Sequence, residues 1–236
     1  MNKLSQSVCL LTGLLFVISC KTLQVSDLRP TSSNQQKLPS LIPQVDMQSV
    51  QSSYTGGSTV TQGIAVASTS NFITVGAFAG TSTQFPDKRI QDIFTLFGRD
   101  AENNICKSDP KTLGDICLKI TYSKSKLGGY GWIVPAILTG TVAWWCGMPV
   151  QNWQQELELQ VEIKNPSGQV VERYEASGKA KVNIGAYFGY AKTDAPYIGQ
   201  SSTGRKANIE AYKMAMAEIK GDIERDHDKI SKELGQ

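Results

Sequence analysis

The 236-residue chain contains one histidine, His227. That scarcity removes zinc sites built on several imidazoles and the paired histidines of an H-E-x-x-H helix. Five cysteines are present, but no two form C-x-x-C, so a cysteine-ligated zinc site is not expected either. G-x-S-x-G is missing. "SGKAK" has Gly178-Lys179, yet Arg173 stands where a phosphate-binding loop needs its first glycine, and Ala180 replaces the Ser or Thr. Charge of one sign is scarce as well. With 24 Lys and Arg against 21 Asp and Glu, the net charge of +3 builds no basic field for nucleic acid and no acidic tail. His227 sits in "ERDHDK", which reads as a solvated charge run. The expectation is a protein with no cofactor, no metal and no catalytic residues, and thus not an enzyme.

The amino terminus carries the strongest positive signal. Lys3 precedes the apolar run "VCLLTGLLFVIS", Val8 to Ser19, which ends at Cys20. A short positive region followed by an apolar stretch too short to span a bilayer comfortably is the layout of a secretory signal peptide. Aliphatic and small residues just before a cysteine resemble the lipobox of bacterial lipoproteins. That resemblance implies removal of residues 1–19 and acylation of Cys20 with palmitate-type chains. Each buried methylene adds about 0.8 kcal/mol, and several chains give stable anchoring without a membrane span.

Residues 20–56 read as the lipidated cysteine and a flexible tether. "SSNQQ", "SVQSS" and "GGS" hold few large apolar residues, and Pro30, Pro39 and Pro43 interrupt regular structure. Such a tether reaches on the order of 100 Å at full extension. Within it, "LPSLIPQVDM" (38–47) has spaced aliphatics that either dock or form a stiff extended patch. Residues 57–236 then form the globular domain. A Gly/Ser/Thr-rich opening, with Val60, Ile64, Val66, Ile73, Val75 and Phe78, has β character.

Pro86-Asp87 opens a helix whose Ile90, Ile93, Phe94 and Phe97 make one apolar stripe. Two strands follow by period two. Leu118, Ile120 and Tyr122 alternate with Lys119, Thr121 and Ser123; Leu157, Leu159, Val161 and Ile163 alternate with Glu158, Gln160 and Glu162. One buried face and one wet face is the mark of an antiparallel sheet. Asn165–Gly168 is a turn into a further strand, with bulges or bends expected at Gly178 and Gly185. A long amphipathic helix closes the chain, its Ile209, Tyr212, Met216, Ile219 and Ile223 recurring at steps of three and four. The predicted class is α+β, an antiparallel sheet with two main helices on one face.

Residues 128–150, "GGYGWIVPAILTGTVAWWCGMPV", carry no charge. Five glycines and two prolines disfavour a spanning helix, and Lys119, Lys124 and Lys126 would lie on the wrong side of the membrane. Two readings stay open. The segment packs into the core, or it forms an apolar surface in which Trp132, Ile133, Ile137, Leu138, Trp144 and Trp145, together with Trp153, meet a membrane or a partner.

Cys106 and Cys117 enclose ten residues between a helix exit and a strand entry, a natural place for a disulfide in an oxidising compartment. Loop closure of that size stabilises by roughly 2 to 3 kcal/mol. Cys146 reads as a buried thiol.

The succession "RDAENNIC", "LKITYS", the Gly/Trp-rich run ending "GMP", "LELQVEIKNPSGQVVERYEASGKAKV" and "ANIEAYKMAMAEIKGDI" resembles uncharacterised small envelope lipoproteins of Gram-negative bacteria. The layout is also loosely similar to periplasmic lipoproteins that assist curli secretion and lipopolysaccharide assembly, a fold analogy that does not give function. The resemblance implies a lipid-anchored envelope protein with a structural or protein-binding role, its partners the membrane through Cys20 and another envelope protein. The alternative is a module that binds lipid or an apolar ligand through Trp132–Trp145. Lys21, rather than Asp, after Cys20 suits the outer membrane, with the domain facing the periplasm.

Overall fold

The computed structural model describes residues 25–30, 36–55, 72–74, 87–128, 137, 149–185 and 202–235. A 3-10 turn at Val25–Leu28 is followed by β1 (Ile42–Asp46), α1 (Met47–Thr55), β2 (Phe72–Thr74) and α2 (Lys88–Asp100). A π-turn at Ala101–Ile105 leads to β3 (Asp115–Gly128), β4 (Pro149–Lys164) and β5 (Val170–Gly185), then α3 (Ser202–Arg225) and α4 (His227–Glu233). The strands form one sheet in the order β2-β1-β3-β4-β5, and the class is α+β as the periodicities predict.

The sheet is mixed rather than wholly antiparallel. β3, β4 and β5 pair antiparallel, as do β1 and β2, but β1 runs parallel to β3, with Ile42 opposite Asp115 and Val45 opposite Leu118. A parallel pair needs a crossover, and the segment carrying α1, β2 and α2 supplies it. This pairing also corrects the tether. Leu38, Leu41, Val45, Met47 and Val50 are buried in the main core, so the stretch from Leu38 to Val50 belongs to the domain. Tyr54 of α1 donates to Asn208 of α3 at 2.6 Å, a contact 154 residues apart in sequence.

Local chemistry explains the elements that periodicity foresees. The Asp87 side chain caps α2 by accepting from the Arg89 backbone N–H, and Ile90, Ile93, Phe94 and Phe97 are all buried beneath it. The β4–β5 turn is held by Asn165, whose side-chain oxygen accepts from the N–H groups of Ser167 at 3.1 Å and Gln169 at 2.9 Å. Gly168 takes φ +80° there, a left-handed conformation that glycine adopts without steric cost.

Three local expectations give way to tertiary geometry. Alternation groups Tyr122 with Leu118 and Ile120, but a register shift between Ile120 and Tyr122 turns it to the wet face, 38% exposed. Gly178 is no bulge: it pairs regularly with Leu157 inside β5 and lies directly beneath α3. The closing helix breaks at Asp226 into α3 and α4, although its stripe from Ile209 to Ile223 is buried as predicted.

All the helices contribute to a core on one face of the sheet. Charged pairs join them within it. Arg205 of α3 holds Asp92 of α2 through two bonds of 2.7 Å. Burial pushes the Asp92 carboxyl upward, against the opposing pull of Arg205.

Candidate interaction surface

The opposite face of β3–β4–β5 is built by the alternate residues of the same strands. Arg173, Glu175, Ser177, Lys179 and Lys181 of β5 are exposed in succession, beside Glu158 of β4 and Tyr122 of β3. No helix among the described residues covers this face.

Its centre is Glu162, whose side chain is only 2% exposed. Lys119 of β3 and Arg173 of β5 each reach its Oε1 at 2.9 Å, and Lys164 lies 3.7 Å from Oε2. Gln160 Nε2 also donates to Oε1 at 2.9 Å. Cross-strand register explains the meeting: Glu162 stands opposite Cys117 on one side and Arg173 on the other. Burial alone would raise the Glu162 pKa. The Lys119 hydrogen bond and the charges of Lys119, Arg173 and Lys164 outweigh that, holding the carboxyl below its usual range. Further along, Lys179 pairs with Glu156 at 2.6 Å. Three strands thus present ordered, opposed charges on a broad, open surface.

A folded-state pKa below the unfolded value gives stability that is complete above the ordinary carboxylate range and lost as pH falls through the folded value. Glu162→Gln should therefore be less stable than the native chain at neutral pH, by about 1 kcal/mol given the partly exposed cations. The gap should close on acidification. Urea midpoints at neutral and acid pH check this; a gap independent of pH would be evidence against the ionised hub.

The cysteines do not meet. Cys106 and Cys117 are free and buried. Cys106 belongs to the main core, whereas Cys117 lies on the face opposite Ile116 and Leu118, its Sγ facing Gln44 Oε1 at 3.7 Å. Alternation along β3 turns Cys117 away from the core that holds Cys106, and both thiols are free, so the expected bridge is not formed. Burial pushes Cys106 up to about 12 and Cys117 up to about 11, which keeps both protonated and poorly nucleophilic at neutral pH.

Of the expected apolar contacts, Ile137 is 68% exposed. Trp132, Ile133, Leu138, Trp144, Trp145 and Cys20 lie outside the described residues, as does Cys146. Trp153 is not at the surface: it is buried to 4% exposure on the core side of β4. His227 packs rather than floats, with Nε2 3.3 Å from the Lys37 carbonyl and Nδ1 3.2 Å from Asp228. It lines a polar cavity of ≈ 220 Å³ with Gln36, Glu224, Arg225 and Asp228.

Sequence reasoning missed the Glu162 hub. Its only signal was a glutamate inside an alternating strand, a pattern shared with Glu158. The difference between them is the register with β3 and β5.

Among the described residues, no helix is long and apolar enough to cross a membrane, and no cluster of His, Cys, Asp and Glu is arranged to hold a metal ion. No protein-family model and no curated protein matches the chain. A crystal structure from Caulobacter crescentus CB15, named "putative lipoprotein", is similar at 10% identity and a TM-score of 0.29. The similarity covers 63% of this chain and 80% of that one. At that level of agreement it carries no functional argument.

Proposed function

We propose that this protein is a lipid-anchored component of the bacterial cell envelope whose domain binds another envelope protein. The observation that carries the reading is the Lys3-led apolar run from Val8 to Ser19, ending at Cys20, ahead of a folded domain. Acyl chains on Cys20 supply the membrane attachment. The open sheet face supplies the binding surface. Ligand pockets for small molecules are concave and mostly apolar, whereas this face is broad and carries the Lys119–Glu162–Arg173 and Lys179–Glu156 pairs. Charges placed in this way give register and partner choice more than raw affinity. Lys21 after Cys20 assigns the anchor, within this proposal, to the outer membrane on its periplasmic side.

The mass of the purified protein tests the anchor. The chain should start at Cys20 and carry glyceryl-linked acyl groups. Exporting Cys20→Ser behind an ordinary cleavable signal should move it from the detergent phase to the aqueous phase. An unmodified Cys20, or a variant that still partitions into detergent, overturns the reading.

A further inference from the structure

We infer that the outer face of the α2–α3 helical layer is held against the phospholipid bilayer, with the charged sheet face turned away from it. The inference rests on acylation of Cys20 as proposed above. Its structural basis is how soon after Cys20 the chain is pinned to the fold. Lys206 of α3 forms an ion pair with Asp27 and a second, at 3.0 Å, with Glu210. Arg99 of α2 donates through Nη1 to the Leu28 carbonyl at 3.0 Å, and Leu28 packs against the core. The Val25–Leu28 turn is thereby strapped across both helices.

The leash is short. From Cys20 to Val25 the backbone spans at most about 18 Å fully extended. That is far below the reach of the long tether that composition alone suggests. Were the sheet's wet face to lie on the bilayer, the strap would stand above it by a helix roughly 10 Å across and a further layer of about 10 Å. The leash would also have to run round the edge of the domain. Its length does not permit that path, whereas the helical face reaches the bilayer directly.

The chemistry of that face suits the position. Glu210, Lys213, Met214 and Ala217 follow Lys206 along α3 at helical spacing, on its outward side, and Met214 is 53% exposed. Arg29, one residue beyond the strapped turn, is exposed, and Arg99 is half-buried. The face is mixed in charge: Glu210 and exposed Glu218 flank Met214 one turn away on either side, so contact with anionic headgroups falls to Arg29 and Lys213, with Met214 placed at the acyl boundary. The consequence for function is direct: the Glu162 face points into the periplasm, where a partner can reach it.

Photocrosslinking tests this with the native full-length chain. The acylated protein is reconstituted in phosphatidylethanolamine and phosphatidylglycerol vesicles containing a headgroup-linked diazirine lipid, and crosslinked peptides are mapped by mass spectrometry. Crosslinks should fall several-fold more often on peptides holding Arg29, Arg99 and Lys213–Met214 than on 173–181. An even distribution, or an excess on 173–181, overturns the inference. A flexible Gly/Ser insertion of about 20 residues after Lys21 adds roughly 25 Å of average reach and should erase the preference; a preference that survives it overturns the leash argument. The mass of the Cys20 peptide in the same digest separates the two claims. With Cys20 acylated and no preference, only this inference fails; with Cys20 unmodified, the anchor fails and takes this with it.

Discussion

Asp100→Ala lowers the unfolding free energy by about 3–5 kcal/mol, the range for removing one partner of a buried ion pair. Asp100 is 1% exposed and Lys220 is 3% exposed, and Lys220 Nζ lies 3.0 Å from Asp100 Oδ1. Asn104 Nδ2 donates to the same oxygen at 2.8 Å, and the Tyr212 hydroxyl faces Oδ2 at 3.5 Å. Burial first, and then the Asp100 charge, push the Tyr212 phenol well above its usual range. Alanine withdraws the carboxylate from a desolvated ammonium and from two further polar groups at once. The chain cannot relax this by exposing Lys220 without lifting α3 off the core. Adding Lys220→Met to Asp100→Ala should restore most of the loss, because an apolar pair of similar volume replaces buried charges at little net cost. Urea denaturation followed by circular dichroism measures both variants. A single variant within about 1 kcal/mol of the native chain would show that the pair is not the buried joint between α2 and α3 described here.

The second large effect is steric. A Cβ on Gly178 would stand 1.8 Å from the Ala211 carbonyl oxygen, 2.8 Å from its carbon and 3.1 Å from the Ala215 nitrogen. All three atoms are backbone, so no rotamer change relieves the clash, and α3 must move off β5. Gly178→Ala should destabilise by about 3 kcal/mol, at the upper end of ordinary overpacking. Gly221→Ala gives the matched control. Gly221 lies in the same helix layer with nothing within 4 Å of its would-be Cβ. An exposed helical glycine replaced by alanine gains up to about 1 kcal/mol of helix propensity. The same chemical change should therefore move the melting transition in opposite directions at the two sites. Equal shifts would contradict the close approach of α3 to β5.

The same contrast separates what was legible in the sequence from what was not. The α2 stripe, the cap at Asp87, the Asn165–Gly168 turn and the alternation of β4 depend on neighbours within a few residues, and each was readable. The parallel pairing of β1 was not. "LIPQVD" is short and proline-bearing, and it becomes a strand through its pairing with β3 on one side and β2 on the other. Tyr122 was misplaced because the shift after Ile120 leaves no mark in the alternating pattern. Loop length suits a Cys106–Cys117 bridge, but Cys106 packs into the core while the alternation of β3 turns Cys117 to the other face. The Glu162 hub needed three strands in register before its partners could be named.

By itself, the sequence determined the cap and apolar stripe of α2, the alternation of β4, the turn into β5, the buried stripe of α3, and that an apolar run precedes Cys20. These follow from capping, backbone period and composition, all short-range properties of the chain. Only the tertiary structure decided that Leu38, Leu41, Val45, Met47 and Val50 join the core, that charges converge on Glu162, and that the Val25–Leu28 turn is strapped to α2 and α3. Those outcomes depend on which distant residues meet, and that is settled by register and packing once the whole core has closed.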